Sequence, residues 1–422
     1  MIEEFISLFQ TEFYIKIWGY ISATWPIWMP LFFVNLFLNT WVTYRRRTWI
    51  NEQGSVLLEI KLPKIIERSP AAMEVVLSGL FDPTMGSLID NYIKGRVRDW
   101  FSLEIVSLGG EVKFFIRALK KWHKTIEARI YAEYPNAEVF LVDEKDDYAL
   151  KVNYDPEKIN MFAAMTSLNK ADAYPIKTYI DYELDKGGKE QEEIIDPIMP
   201  VLEYLGSIKP DEQIWFQILI QGHRKEGLAD TRIIPKGDWK EGIKDEIRKI
   251  IEKESFVKPS KSTDKDRSAP AMMTFLTTTQ TKTIESIERN AGKLAFDAMM
   301  RVLYIAPKDT FDGGRIGGTL GSLRQFGSEN LNGIRPVWLS SKSYPWEDFR
   351  DIKRRTSLRK HLNAYKRRSF FNVPYKHLNA KPYILTTEEL ATLFHLPGSA
   401  ITTPTLTRVP SKKGVAPSNL PM

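Results

Sequence analysis

The sequence predicts an α+β protein carried behind an N-terminal transmembrane helix, on three observations. Residues 17–44, IWGYISATWPIWMPLFFVNLFLNTWVTY, hold no charged side chain. Between residues 56 and 142 the hydrophobic patterns fall in the order β-α-β-β-α-β, that of a ferredoxin-like α/β sandwich. A second, interrupted set of strand and helix patterns follows between 174 and 306, ahead of a Pro-rich C-terminal tail.

The charge-free stretch is longer than the roughly 20 helical residues that cross a hydrocarbon core of about 30 Å. Trp18, Trp25, Trp28 and Trp41 sit toward its ends, where amphipathic rings reach the headgroups. Pro26 and Pro30 predict a kink, or a regular span that begins near Met29. A secretory signal peptide is the competing reading. It is weakened by the acidic start (Glu3, Glu4, Glu12) and by the lack of a small-residue cleavage site. Arg45, Arg46 and Arg47 mark the membrane boundary, against a lone Lys16 on the other side. That imbalance predicts a single-pass protein of the cell (plasma or inner) membrane with its C-terminal portion in the cytoplasm. Asn35 and Asn39 share a helical face in the span, where they either bond a neighbouring helix or lie near the interface or bond locally.

Beyond the anchor, VLLEIKLP (56–63) reads as a strand, and Ser69-Pro70 starts a helix with Ser as N-cap and Pro in the first turn. Residues 99–118 form a hairpin about Gly109-Gly110, with Phe101, Leu103 and Ile105 alternating. Trp122, Ile126, Ile130 and Tyr134 mark a helix, and residues 137–142 a closing strand. In the second set, 174–184 and 213–222 read as strands with a helix near 198–205 between them. Trp239, Ile243, Ile247 and Ile251 recur at helical spacing, 281–292 is helical, and 293–306 is a strand. Thr386 and Glu389 have capping-box spacing for a helix at 387–394. The resulting division is 1–50 with the span at about 17–44, 51–150 as one ferredoxin-like domain, and 151–310 as another with an insertion at 223–271. A basic helical region (311–397) and a flexible tail or linker (398–422) complete it.

Composition excludes several chemistries. With no cysteine, there are no disulfides, thiolate metal sites or thiol catalysis. The five histidines lack close spacing for zinc. DGGRIGGTLGS (312–322) has no following Lys-Ser/Thr and so is not a phosphate loop but a turn into a surface helix; no Walker motif occurs anywhere. The carboxylates of 181–196 flank Gly187-Gly188 in what reads as a solvated connection. No catalytic residue, metal ligand or cofactor site is assigned, and the chain is not expected to be an enzyme.

The net charge of +7 sits near the C-terminus: residues 342–369 carry ten Lys/Arg against three Asp/Glu. In this stretch Leu358, Leu362 and Tyr365 share a helical face. Arg354, Arg355, Arg359, Lys360, Lys366, Arg367 and Arg368 are then expected on the exposed face. Such a face can neutralise nucleic-acid phosphates, bind anionic lipid, contact an acidic protein or simply solubilise.

Taken together, several stretches resemble the non-ATPase, N-terminal region of membrane-anchored type IV secretion and conjugation ATPases, the coupling-protein class of the FtsK–HerA superfamily. They are the anchor with Arg45–Arg47, SPAAMEVVLSGLF (69–81), WFSLEIVSLGGEVKFFIRA (100–118), IYAEYPNAEVFLVDEKDDY (130–148), KLAFDAMMRVLYIA (293–306) and the closing LTTEELATLFHLPG with its Pro-rich tail. The resemblance is structural, not catalytic. It implies a membrane-anchored platform or adaptor in a secretion or DNA-transfer system, with membrane lipid, a separate ATPase, DNA and further copies of itself as partners. In that class a motor follows the tail, so the ATPase is expected on another chain or lost. The alternative is a membrane-tethered nucleic-acid-binding protein without a motor partner.

Overall fold

The computed structural model describes residues 2–63, 68–185, 196–225, 239–254, 276–341, 346, 348–398 and 408–409. In chain order, α1 (Ile2–Gln53) precedes β1 (Ser55–Pro63), α2 (Pro70–Ser78), α3 (Leu88–Tyr92), β2 (Trp100–Leu108), β3 (Glu111–Leu119), α4 (His123–Glu133), β4 (Glu138–Val142) and α5 (Tyr148–Lys151). Then come β5 (Ile159–Leu168), α6 (Met199–Gly206), β6 (Gln213–Gly222), α7 (Trp239–Glu254), α8 (Thr278–Ala291) and β7 (Ala295–Pro307). Last are α9 (Gly314–Gly321), β8 (Ile334–Leu339), α10 (Ile352–Lys366), β9 (Tyr383–Thr386), α11 (Thr387–Leu393) and β10 (Arg408–Val409). Two compact units result: residues 1–52 with 85–97, and 53–84 with 98–422.

In the first unit, α1 runs unbroken through Pro26 and Pro30, so no restart occurs at Met29. Its stretch from Phe13 is long and apolar enough to cross a membrane, and the apolar side chains there are exposed. Polar groups in that stretch bond within the helix: Asn39 donates to Asn35, Thr24 to the Tyr20 carbonyl (2.6 Å) and Thr40 to the Leu36 carbonyl (2.8 Å). The amide pair therefore takes the local option. At the far end Trp41 donates to the Tyr92 carbonyl (3.0 Å) and Arg45 to the Ile93 carbonyl (2.6 Å). Gly95 closes this clasp at φ +75°, where an added Cβ would lie 2.3 Å from the Arg45 carbonyl carbon. Only glycine fits there.

The second unit is built on one sheet, ordered β4-β1-β3-β2-β6-β7-β5-β8, with every neighbouring pair antiparallel. The order of β1–β4 is that of a split β-α-β-β-α-β unit, and β5–β8 repeat it in mirror sequence. Both ferredoxin-like units are present, but they are not separate domains. They share the sheet through β2 and β6, paired from Trp100↔Gln221 to Leu108↔Gln213. β9 pairs with β7 at Ala295–Ala298, past the end of β5, and β10 runs parallel to β1 at Leu62–Pro63, past the end of β4.

Three expectations change. Residues 174–184 are not a strand; β5 is INMFAAMTSL, which lies between β7 and β8 and reads as a continuous small-and-apolar run, without alternation, because it is covered on both faces. Residues 174–184 instead form an irregular segment held by side chains. Glu389 accepts from the Ile176 amide (3.0 Å), Thr392 from the Tyr179 amide (2.9 Å), and Tyr179 donates to Glu74 (2.6 Å). The region 311–397 is not only helical: it supplies β8, which completes the second unit, and β9. The insertion between β6 and β7 extends past 271, because α8 belongs to it. The acidic residues 186–195, the polar residues 255–270 and nearly all of the tail 399–422 lie outside the described residues.

One sheet face packs on α2, α4, α6 and α11. Leu58, Leu103, Phe114 and Phe216 meet Met73, Val76, Ile130, Leu202, Leu390 and Phe394, all buried. Each such side chain contributes roughly 1.5–3 kcal/mol on burial. The void left beneath the centre of the sheet is about 10 Å³, lined by Leu103, Ile105, Val201, Phe216, Ile218 and Leu393 among others. That is no more than the least space one water needs, and its walls are apolar, so nothing there would hold one. The opposite face, open in a minimal sandwich, is closed by α5 and α10: Leu57, Val106, Phe115, Trp215 and Leu303 pack on Tyr148, Leu358, Leu362 and Tyr365.

Candidate functional site

The covered second face holds a charge cluster at the seam between the two halves. Ser102, Glu104 and Val106 point to that face of β2, and Gln217 of β6 lies directly across from Glu104, with Arg301 of β7 across from Gln217. Asp147 reaches it from the start of α5, where its carboxylate also accepts from the Ala149 amide (3.0 Å). After α10 the chain turns at Arg368, whose φ of +46° swings the guanidinium into the sheet.

Arg368 is 1 % exposed. Its Nε donates to Glu104 Oε1 (3.0 Å) and its Nη2 to Glu104 Oε2 (3.2 Å) and Asp147 Oδ1 (3.0 Å); its Nη1 also bonds Asp147. Glu104 further accepts from Ser102 (2.6 Å), Gln217 (2.9 Å) and the Tyr148 hydroxyl (2.6 Å), and that hydroxyl lies 2.7 Å from the Tyr365 hydroxyl. Burial alone would raise the Glu104 carboxyl. The Arg368 charge and these hydrogen bonds more than reverse it and hold the group below its ordinary value. Burial, with the nearby Glu104 charge, pushes both tyrosine phenols well above theirs. A carboxylate saturated with donors and two phenols that keep their protons make poor acid–base catalysts at neutral pH. The arrangement acts chemically as a lock that ties α5 and α10 to the seam.

Beside it, Arg301 is buried, and its Nη2 donates to the Ser369 carbonyl (2.7 Å), while Nε and Nη1 have no partner among the described residues. Burial pushes its pKa down to about 9, so it stays charged at neutral pH. His361 of α10 stacks on Trp338 of β8 with ring centroids 4.0 Å apart. Burial, then the Arg301 charge, pushes its pKa down to about 3, so the ring is neutral.

The seven basic residues predicted on one exposed face therefore divide. Arg368 is removed from that face altogether: the left-handed turn after α10 reverses the direction its helical spacing implied. Arg354 is half-buried and donates to Asn160 (3.0 Å), and Lys366 is half-buried with Asn153 at 3.4 Å. Arg355, Arg359, Lys360 and Arg367 remain exposed, Arg355 lying 4.0 Å from Glu157. In the first unit Arg45 and Arg46 are half-buried and Arg47 is exposed, all within α1. Sequence reasoning passed over Glu104 and Asp147. The signal was there, a lone carboxylate inside WFSLEIVSL, but the alternation of Phe101, Leu103 and Ile105 accounted only for the other side of the strand.

A second polar cluster, on the other face, joins α2, α8 and α11. Lys293 donates to Glu74 (2.8 Å), Arg289 to Glu388 (3.1 Å) and Asp181 (3.0 Å), and Thr178 to Glu388 (2.6 Å). Burial pushes Glu389 up to about 7 against the donors that surround it. His395 and Asp196 form a further buried pair (2.9 Å), with the His pKa raised and the Asp pKa lowered by their mutual charge despite burial. Among the described residues no group of three or more His, Asp or Glu is placed to hold a metal ion.

Fold and clusters together define a class: an α+β protein with a doubled ferredoxin-like sheet, one N-terminal helix able to span a bilayer, and an ionic lock under a basic helix. The chain belongs to the family described as a domain of unknown function, DUF8128, which it matches over residues 45–408. That span starts at the arginine trio and contains β1 to β9, the lock and α10. No curated protein matches the sequence.

Proposed function

We propose that this protein is a membrane-anchored, noncatalytic platform whose α+β body docks a motor ATPase of a secretion or DNA-transfer system on the cytoplasmic side. The observation that carries the reading is α1: it exposes apolar side chains from Phe13 to Trp41, and Arg45–Arg47 follow that stretch within the same helix. The Glu104–Arg368–Asp147 cluster supports a noncatalytic body, because its charged groups are buried and paired with each other. The likeness to coupling proteins supports the choice of partner. The test is gentle purification of the full chain from its native membranes with identification of what travels with it. Recovery of an ATPase or secretion component supports the reading; repeated recovery of the chain alone counts against it.

A second reading, a tethered nucleic-acid binder, is favoured by the exposed Arg355, Arg359, Lys360 and Arg367. Replacing these four by Gln should then weaken DNA or RNA binding and flatten its salt dependence, by about 0.9 in log–log slope for each phosphate that is no longer neutralised. Binding unchanged by the four substitutions removes this reading.

A further inference from the structure

The sheet of the second unit has two open edges, one along β4 and one along β8. β4 pairs with β1 on its inner side and β8 with β5; among the described residues no strand flanks either on the outside. Both are the fourth strand of their half, and they are of similar length. Seven inter-strand steps of about 4.8 Å separate them, roughly 34 Å, so neither can reach the other within one copy.

Each edge exposes apolar side chains. On β4, Phe140 is 40 % and Leu141 53 % exposed, beside a hollow of about 440 Å³ lined by Tyr131, Pro135, Asn136, Glu138 and Phe140. On β8, Val337 is 43 % and Leu339 37 % exposed. Soluble folds usually blunt such edges with charge or proline. Here the charges are of opposite sign at the two ends. The chain around β4 carries Glu133, Glu138, Asp143, Glu144 and Asp146 against Lys145. β8 carries Arg335, and α10, whose His361 stacks on Trp338, adds the exposed Arg355, Arg359 and Lys360 against Glu157, 4.0 Å from Arg355.

We infer that the β4 edge of one copy binds the β8 edge of the next, so that the occupant of each edge is a second copy of this chain. The contact repeats between molecules what β2 and β6 already do within one, where two half-sheets join edge to edge. Opposite charge sets the pairing of unlike edges: β4 against β4 would bring carboxylates together, and β8 against β8 guanidinium groups. Pro336 lacks an N–H, so β8 contributes to any shared ladder through the residues on either side of it. A contact between two different patches is heterologous, and it propagates from copy to copy or closes as a ring. It needs neither an ATPase nor a nucleic acid.

Because the sequence has no cysteine, two single-cysteine versions of the full chain, Leu141→Cys and Val337→Cys, give a clean test in detergent micelles and in native membranes. Mild oxidation of the mixture should yield a disulfide-linked heterodimer, with little product from either version alone. A linked product from Leu141→Cys alone, or none from the mixture, overturns the inference. The charge pairing is tested separately by mass photometry at low salt. Asp143→Lys/Glu144→Lys should weaken self-association at least tenfold, and mixing it with Arg355→Glu/Arg359→Glu should restore it. A wild-type chain that stays monomeric at low salt, or a charge-reversed pair that fails to associate when mixed, overturns it as well.

Discussion

Replacing Arg368 by Leu tests the lock at the seam. The substitution leaves Glu104 fully buried, with Ser102, Gln217 and Tyr148 as donors but no counter-charge. Glu104 escapes by taking up a proton, which caps the loss. Protonation at pH 7 of a carboxyl whose ordinary value is 4.5 costs about 1.4 kcal/mol per unit, or about 3 kcal/mol. The missing bonds to Asp147 add on the order of 1–2 kcal/mol. The sum, about 4–5 kcal/mol, falls within the roughly 3–5 kcal/mol expected when one member of a buried pair is removed. The sign with pH follows. In the wild type the lowered Glu104 pKa gives stability that is present above 4.5 and lost as pH falls through the folded value. In the variant the penalty is full at pH 7 and eases as pH falls toward 4.5, so the gap should narrow by about 3 kcal/mol at pH 5. The assay is urea unfolding of the full chain in nonionic micelles, followed by tryptophan fluorescence. Adding Glu104→Gln to Arg368→Leu should recover about half the loss. A cost below about 1 kcal/mol, or strict additivity of the two changes, refutes the lock.

Other outcomes follow from the same structure. Arg301→Met should cost less than half of what Arg368→Leu costs, because two of the three Arg301 nitrogens have no partner among the described residues; urea unfolding makes the comparison. Gly95→Ala should loosen the 85–97 clasp on α1, read as faster amide hydrogen exchange at residues 88–95, since the alanine Cβ would overlap the Arg45 backbone. The raised His395 pKa stabilises the fold fully below about 6.5 and less as pH rises through it, so His395→Asn should flatten the alkaline fall in thermal stability. Unchanged pH dependence in that variant would contradict the role given to the Asp196 pair.

Much of the fold was legible because it rests on local periodicity. The Gly109-Gly110 turn, Ser69-Pro70 and the Thr386–Glu389 capping box each appear where their residue chemistry put them. β5 was not legible, since a strand with Met, Ala and Phe on both faces has no period of two. Residues 174–184 misled for the opposite reason: they alternate, but their amides bond Glu389 and Thr392 across the fold, not a neighbouring strand. The site failed at its third dimension. Spacing placed Arg368 with the exposed arginines, and alternation gave Glu104 no part. The cover of the second face by α10 and a left-handed residue at its end reversed both.

The central claim is that an apolar N-terminal rod holds the α+β body against the inner side of a membrane. The most direct measurement is labelling of a single introduced cysteine, Lys145→Cys, with a membrane-impermeant maleimide in intact cells. The predicted result is no labelling until the cells are lysed, with the protein in the membrane pellet. Full labelling of intact cells, or recovery of the unlabelled protein in the supernatant, would contradict it.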